Sequence, residues 1–265
     1  MNRIEERFEE LKKQGKKAFI PFITAGDPDL ATTRTLVLEL EKRGADIIEL
    51  GIPFSDPIAE GPVIQRSSQR ALEGEISPLK ILDLVKEMRQ ETEIPLVLMG
   101  YYNPIFKFGE RKFIEKTSRA GVDGLIIVDL PPEEAHFLLK ETKKNNLDII
   151  FLLTPVSSEE RIKLVCENSR GFIYCVAYTG ITGDEKRKDK NLKDLVGKVH
   201  SLTSTPVGIG FGISSPLEAK KTASLAEIVI VGSAIVKKIE KYKGNKNLVK
   251  EVGAFAESLA RAVKE

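Results

Sequence analysis

The chain is poor in cysteine and histidine, the residues that build disulfide frameworks and most zinc sites. Its 265 residues include two cysteines, Cys166 and Cys175, which lie in separate apolar runs and form no C-x-x-C pair. This pattern disfavours a disulfide framework or a metal site and is typical of a reducing compartment. The two histidines, His136 and His200, lie in predicted helical or peripheral stretches, so no histidine-based triad is expected.

Net charge and long apolar runs are also scarce. The 41 basic and 39 acidic side chains leave a formal net charge of +2, which gives no indication of binding to nucleic acid or to a membrane surface. No apolar stretch approaches the roughly 18 residues of a membrane-spanning helix, and the chain shows no secretory leader pattern. With 42% hydrophobic residues, the composition is that of a globular protein, and we expect a cytoplasmic location.

Short β-branched runs recur along the whole chain and predict eight strands. In chain order they cover residues 18–24, 45–51, 95–100, 124–129, 148–153, 171–176, 206–210 and 227–232. Segments with helical periodicity separate them, for example residues 32–43, 77–90 and 132–145. Nearly continuous apolar strands are typical of a parallel sheet that is covered on both faces. Eight such strand–helix units predict an α/β protein with one (β/α)8 (TIM) barrel domain spanning residues 1–265, in preference to an open doubly wound sheet.

Two additions to the barrel are predicted. Ile4, Phe8 and Leu11 recur at helical spacing before the first strand, which predicts an extra helix that closes the bottom face of the barrel. The second and third predicted strands are the most widely separated, and the surplus, residues 53–74, predicts an extended loop after the second strand. Barrel active sites are built from such loops at the carboxyl ends of the strands.

Two acidic residues near that face are candidates for proton transfer. Because side chains alternate along a strand, Glu49 shares a face with Ile47 and Gly51 near the carboxyl end of the second strand. On an interior face, desolvation would raise the pKa of Glu49 and suit it to exchange protons near neutral pH, whereas on the outer face it would pair with a helix lysine. Glu60 lies in the proline-rich loop, either held over the barrel mouth or simply solvated.

Glycines gather at the ends of the last three predicted strands, in residues 180–183, 208–212 and 232–233. Backbone amides left free by glycine turns and helix N-termini bind phosphate, and barrels often use their last loops for this. The sequence therefore predicts a phosphate site, while the absence of G-x-G-x-x-G spacing argues against a dinucleotide site. Residues 183–190 mix charges of both signs and are expected to form a mobile, solvated lid.

Four segments resemble the tryptophan synthase alpha chain family. They are residues 21–28 (PFITAGDP), 49–57 (ELGIPFSDP), 180–183 (GITG) and 210–214 (GFGIS), and the resemblance extends over essentially the whole chain. It implies a lyase of tryptophan biosynthesis that reversibly cleaves indole-3-glycerol phosphate to indole and glyceraldehyde 3-phosphate, with no metal or cofactor in this chain. It also implies a partner, a beta chain carrying pyridoxal phosphate, in an α2β2 heterotetramer.

The resemblance also implies roles for individual residues. Glu49 would carry the proton, and Glu60 would stabilise the positive charge that develops at the indole nitrogen. The wall around the indole ring would comprise Phe22, Tyr101, Ile126, Leu152, Tyr174 and Phe211, with Thr182 in the closing lid. The phosphate would be held by amides around Gly183, Gly212, Gly232 and Ser233. The beta chain would contact Asp56, Asn103 and Pro104.

Glu60 is the departure from the family pattern. The family motif reads proline, aliphatic residue, alanine, aspartate, glycine, proline, whereas residues 57–62 read PIAEGP, with an acid that is one methylene longer. Since a shift of about 1 Å in a catalytic group can cost roughly 100-fold in rate, a weakened subunit that mainly supports the beta chain allosterically is the alternative. A third interpretation is another phosphate-binding barrel, such as a sugar-phosphate epimerase or an indole-glycerol phosphate synthase. The latter normally needs a catalytic lysine, and residues 18–51 offer none facing inward with Glu49.

Overall fold

The computed structural model describes residues 2–176, 185–210 and 212–265, except for the side chains of residues 185–189. Within these residues, nine strands form one parallel sheet. They are β1 (Ala18–Thr24), β2 (Ile48–Gly51), β3 (Leu96–Gly100), β4 (Gly124–Ile127), β5 (Asp148–Ile150), β6 (Leu152–Leu153), β7 (Ile173–Val176), β8 (Val207–Gly210) and β9 (Ile228–Val231).

Helices alternate with these strands along the chain. They are α1 (Arg3–Lys13), α2 (Leu30–Lys42), α3 (Pro62–Glu73), α4 (Pro78–Met88), α5 (Tyr102–Phe108), α6 (Glu110–Ala120), α7 (His136–Lys144), α8 (Glu159–Asn168), α9 (Glu185–Leu202), α10 (Pro216–Ala223), α11 (Ser233–Tyr242) and α12 (Leu248–Lys264), with a 3₁₀ turn at Pro132–Glu134. Among the helices of these ranges, none combines the length and the apolar character needed to cross a membrane.

The strand order β5-β4-β3-β2-β1-β9-β8-β7-β6 confirms the predicted barrel. Only Phe151 separates β5 from β6, so one extended segment pairs with β4 on one side and with β7 on the other. The carbonyl of Phe151 also accepts a hydrogen bond from the Tyr174 backbone N–H at 3.1 Å, on the β7 side. The eight predicted strands are therefore all present, and the fifth of them is divided at Phe151.

The strands separate an interior core from an outer core beneath the helices. Along β3, Val97 and Met99 belong to the interior cluster, whereas Leu96 and Leu98 belong to the outer cluster under the helices. This alternation follows from the two-residue period of a strand, and both faces are apolar because both are covered. The interior core leaves the carboxyl ends of the strands as the mouth of the barrel.

Helix α1 lies across the opposite end of the barrel, as predicted. Asn2 caps it, because its side chain accepts from the backbone N–H of Glu5 while the Glu5 carboxylate accepts from the Asn2 backbone N–H. Ile4 and Leu11 are buried in the interior cluster, and the Phe8 ring packs against it. The helix therefore covers the apolar residues at the amino ends of the strands.

The extended loop predicted after β2 is present but shorter than its predicted range, residues 53–74. Residues 52–61 form a loop, but α3 occupies Pro62–Glu73. Pro62 starts this helix, where a missing backbone N–H costs nothing, and Gly74 follows its last residue. Two of its buried positions, Ser67 and Ser68, are polar, so the apolar periodicity that marks a helix is weak. In the predicted lid, residues 185–190 begin α9, and residues 183–184 lie outside the described residues.

Candidate active site

The structure places Glu49 in the barrel interior, near the carboxyl end of β2. Its neighbours Ile48 and Leu50 belong to the outer core, whereas Ile47 belongs to the interior core. The residue is 1% exposed, and its carboxyl oxygen Oε1 accepts no hydrogen bond from the described residues. Burial therefore removes water from this acid, and no described lysine or arginine forms an ion pair with it.

Glu60 is held at the mouth of the barrel by its own loop. Its backbone N–H donates to the Pro57 carbonyl at 3.0 Å, and its carbonyl accepts from Gln65 Nε2 at 2.9 Å. The neighbouring Ala59 N–H donates to the Tyr101 hydroxyl at 3.0 Å. The loop is thus fixed both to α3, which begins two residues after Glu60, and to the loop that follows β3.

The two carboxyl groups have different proton affinities. Burial, and to a smaller extent the nearby Glu60 carboxylate, raise the pKa of Glu49 to about 8. Burial raises the pKa of Glu60 to about 7. As the pH rises, therefore, Glu60 ionises first and Glu49 keeps its proton longer. The pair supplies one proton donor and one negative charge to the same site.

Both acids open into a cavity of about 590 Å³ at the mouth of the barrel. Seven residues that the sequence predicted for the site border this cavity: Phe22, Glu49, Glu60, Tyr174, Gly212, Gly232 and Ser233. An adjoining cavity of about 20 Å³ is bordered by Tyr101, together with Phe22 and Glu60. The predicted acids, ring-contacting residues and phosphate-binding residues therefore meet in one place.

Gly212, which follows β8, and the amino end of α11 border one part of this cavity, which we call the anion nest: Gly212, Gly232 and Ser233. Gly232 is the N-cap of α11, and Ser233 is its first residue. A helix N-terminus leaves backbone N–H groups without intrahelical acceptors and carries the positive end of the helix dipole. Gly212 has φ +76°, which favours glycine, and it borders the same cavity. These groups can stabilise an anion in the cavity.

Two glycines make room for the aromatic walls. A Cβ added at Gly51 would lie 2.5 Å from Phe22 Cζ, and one added at Gly210 would lie 2.1 Å from the Tyr174 hydroxyl oxygen. Real Cβ atoms do not approach other atoms so closely, so these strand positions must be glycine for the rings to keep their places. Burial raises the pKa of Tyr174 well above its usual range, and Glu49 and Glu60 act in the same direction, so its hydroxyl stays neutral.

Other predicted residues lie away from the cavity or outside the described residues. Ile126 is buried in the interior core, and Leu152 packs against that core; neither borders the cavity. The residues outside the described ranges are Thr182, Gly183 and Phe211. The three predicted partner contacts lie after β2 and β3, where Asp56 and Asn103 are exposed and Pro104 is half-buried.

The sequence analysis missed several cavity residues. Met99 on β3 and Ile230 on β9 form part of the apolar wall of the cavity. The alternation of side chains along a strand could have identified both residues. Ile64 was missed because its helix was predicted as loop. The outer part of the cavity is bordered by Lys237, Lys238, Lys241 and Phe255. Within the described ranges, no group of three or more His, Cys, Asp and Glu residues could hold a metal ion.

Comparisons with known proteins show the family of the chain. The family model described as "Tryptophan synthase alpha chain" matches residues 8–264. The tryptophan synthase alpha chain of Caldanaerobacter subterraneus subsp. tengcongensis is 52% identical over 98% of this chain and 98% of its own length. That of Geotalea uraniireducens is 50% identical over 100% of this chain and 98% of its own. The crystal structure of tryptophan synthase subunit alpha from Legionella pneumophila str. Paris superposes with a TM-score of 0.91, at 40% identity, covering 99% of this chain and 98% of that one. The chain therefore belongs to the tryptophan synthase alpha chain family, whose members are lyases of tryptophan biosynthesis.

Proposed function

We propose that the chain catalyses the reversible retro-aldol cleavage of indole-3-glycerol phosphate to indole and glyceraldehyde 3-phosphate. One observation carries the proposal: two acids with raised pKa values and an anion nest border the same cavity. The substrate has three matching parts, namely a ring carbon that must gain a proton, a ring nitrogen that becomes positive, and a phosphate.

Glu49 is the proton donor in this proposal. Its carboxyl group gives a proton to indole C3, which makes the ring an indolenine with positive charge at nitrogen. The bond between C3 and the glycerol carbon then breaks, and its electron pair returns to the ring. The hydroxyl group on that carbon loses its proton to the Glu49 carboxylate and becomes the aldehyde of glyceraldehyde 3-phosphate. A positioned acid–base group contributes about 10²- to 10⁴-fold in rate, and a pKa of about 8 suits both directions of transfer.

Glu60 stabilises the positive ring nitrogen. Its charge is available because its pKa of about 7 leaves it mostly ionised when Glu49 is still protonated. The extra methylene does not remove its carboxyl group from the site, since Glu60 borders the same cavity as Glu49. This position favours an active lyase over a weakened subunit that serves only the beta chain.

The anion nest and the apolar walls orient the substrate. The backbone amides at Gly212, Gly232 and Ser233 hold the phosphate, while the rings of Phe22 and Tyr174 contact the indole. Fixing both ends of the substrate places the scissile bond beside Glu49 and removes the entropic cost of finding that geometry.

We also propose that the chain works in the cytoplasm with a beta chain in an α2β2 heterotetramer. No cofactor acts in this chain, and pyridoxal phosphate belongs to the beta chain. Large apolar side chains are exposed after three strands at the barrel mouth: Ile58 is 88% exposed, Val156 is 82% exposed, and Phe106 lies on α5 after β3. They lie on the same face as Asp56 and Asn103. Exposed apolar residues grouped on one face are typical of a docking surface.

The decisive assay measures release of indole and glyceraldehyde 3-phosphate by the purified chain, with and without a beta chain. The proposal predicts turnover by the wild type and its loss in Glu49→Gln. Glu141→Gln is the matched control, because Glu141 is also a buried glutamate, on α7 away from the cavity. Unchanged turnover in Glu49→Gln would remove the proposed mechanism.

For the partner, Ile58→Ser should weaken binding of the beta chain, whereas Leu202→Ser, at the opposite end of the barrel, should not.

A further inference from the structure

Two helices that begin beside the active site are joined by ion pairs. Helix α3 begins two residues after Glu60, and α11 begins in the anion nest. The two helices pack against each other. Because a helix transmits displacement along its length, the contact between them sets the distance between Glu60 and the nest. The groups that make this contact therefore bear on the geometry of the site, although they touch no substrate.

The carboxylate of Glu240 on α11 accepts hydrogen bonds from both arginines of α3. The Arg66 Nε and Nη2 atoms donate to its two carboxylate oxygens at 2.7 and 2.9 Å. The Arg70 Nη1 atom donates to Glu240 Oε1 at 2.9 Å. Hydrogen bonding to Arg66, together with the charges of both arginines, lowers the pKa of Glu240 to about 2, so this carboxylate stays ionised at any working pH.

Arg70 also binds a second, fully buried carboxylate. Its Nε and Nη2 atoms donate to the two oxygens of Asp27 at 2.8 and 2.6 Å, and the Ser67 hydroxyl donates to Asp27 at 2.6 Å. Asp27 is 1% exposed and follows β1, the strand that carries Phe22. The planar guanidinium has donors in a fixed fork, so Arg70 can hold both carboxylates at a set distance, which a flexible lysine cannot do.

We propose that Arg70 is a positioning residue: by bridging Asp27 and Glu240, it ties α3 and α11 to the barrel and so sets the spacing between Glu60 and the anion nest. The predicted effect of Arg70 on catalysis rests on the proposed function. Its structural consequence, a nest held in place by Glu240, can be measured with inorganic phosphate alone.

The test uses Glu240→Gln, which removes the negative charge that binds α11 to α3 and leaves the buried contacts among Asp27, Arg70 and Ser67 intact. The variant is therefore expected to fold. Glu91→Gln is the matched control, since Glu91, in the turn after α4, also forms an ion pair, with Arg34 on α2. Arg70→Lys is the second variant; it keeps the charge and loses the fork.

In Glu240→Gln we expect the KM for indole-3-glycerol phosphate and the dissociation constant of inorganic phosphate to rise about tenfold, and kcat to fall, because displacement of about 1 Å can cost up to 100-fold. Arg70→Lys should show an intermediate loss, and Glu91→Gln should behave as the wild type. The basic limb of the kcat/KM–pH profile should also move to lower pH in Glu240→Gln. Glu60 contributes to the raised pKa of Glu49, and a displaced Glu60 contributes less. A loss of stability alone would not move this limb.

Wild-type phosphate affinity, KM and pH profile in Glu240→Gln would overturn the inference. Failure of the wild type to cleave the substrate would instead overturn the proposed function. In that case the phosphate titration still tests the positioning role of Arg70. Weaker phosphate binding in Glu240→Gln than in Glu91→Gln supports that role, and equal binding refutes it.

Discussion

Replacing Glu49 by glutamine should make the protein more stable, and increasingly so as the pH rises. A carboxyl group whose pKa is raised from 4.5 to about 8 binds its proton more tightly in the folded chain than in the unfolded chain. The folded state therefore loses relative stability as the pH rises from about 4.5 to about 8, and the loss is constant above that range. Glutamine does not titrate, so the variant does not lose this stability as the pH rises.

The magnitude follows from the two pKa values. At about 1.4 kcal/mol for each pH unit, burial of Glu49 costs about 5 kcal/mol well above pH 8 and about 1 kcal/mol at pH 5. The difference in unfolding free energy between Glu49→Gln and the wild type should thus grow by about 4 kcal/mol from pH 5 to pH 9. For a chain of this size, that corresponds to roughly 10 °C in melting temperature.

The assay is urea and thermal unfolding, followed by circular dichroism at pH 5, 7 and 9. Glu141→Gln is the control, because hydrogen bonding to Lys144 lowers the pKa of Glu141 and the opposite pH dependence applies. That variant should gain no stability as the pH rises. If the advantage of Glu49→Gln over the wild type is the same at pH 5 and pH 9, the carboxyl group is not desolvated and the reasoning fails.

Three further predictions concern the site. The kcat/KM–pH profile, which reports the free enzyme, should be bell-shaped with limbs near pH 7 and 8, because Glu60 must be ionised and Glu49 protonated; a flat profile from pH 6 to 9 would contradict this assignment. Glu60→Gln should lose at least about 100-fold in kcat and Glu60→Asp less than about tenfold, because only the first removes the charge; steady-state rates of equal size would argue against the role. Gly210→Ala should lower both kcat and the melting temperature, since the new Cβ would clash with the Tyr174 hydroxyl. Gly197→Ala, in open space on α9, is the control and should raise the melting temperature slightly. No loss in Gly210→Ala would show that the Tyr174 ring is free to move.

The strands, and the residues that share a face with Glu49, follow from local sequence because side chains alternate along a strand. Both faces of a barrel strand are covered, so only the structure shows that the face of Glu49 is the interior one. Met99 could have been added to the site by the same alternation. Helix α3 could not be recognised, since Ser67 and Ser68 fill buried positions where a helix pattern needs apolar residues. The polarity of Ser67 is explained only by the structure, in which it donates to the buried Asp27.

Contacts between distant segments mark the limit of prediction. Phe255, near the end of the chain, borders the cavity only because α12 packs against α11. Arg70 bridges Asp27 and Glu240, and these three charged residues lie in separate segments of the chain. In the sequence, each of them alone resembles an ordinary surface residue. Nothing in the local pattern distinguishes Arg70 from the exposed arginines of the chain, because its role depends on the packing of two helices.

The central claim is that the carboxyl group of Glu49 is buried, faces the cavity and keeps its proton at neutral pH. Carbon-13 NMR of the chain labelled at glutamate side-chain carboxyls tests it most directly, with the Glu49 signal assigned by its loss in Glu49→Gln. The structure predicts that this signal remains that of a protonated carboxyl at pH 7 and titrates near pH 8. A signal that titrates near pH 4.5, like that of an exposed glutamate, would contradict the account.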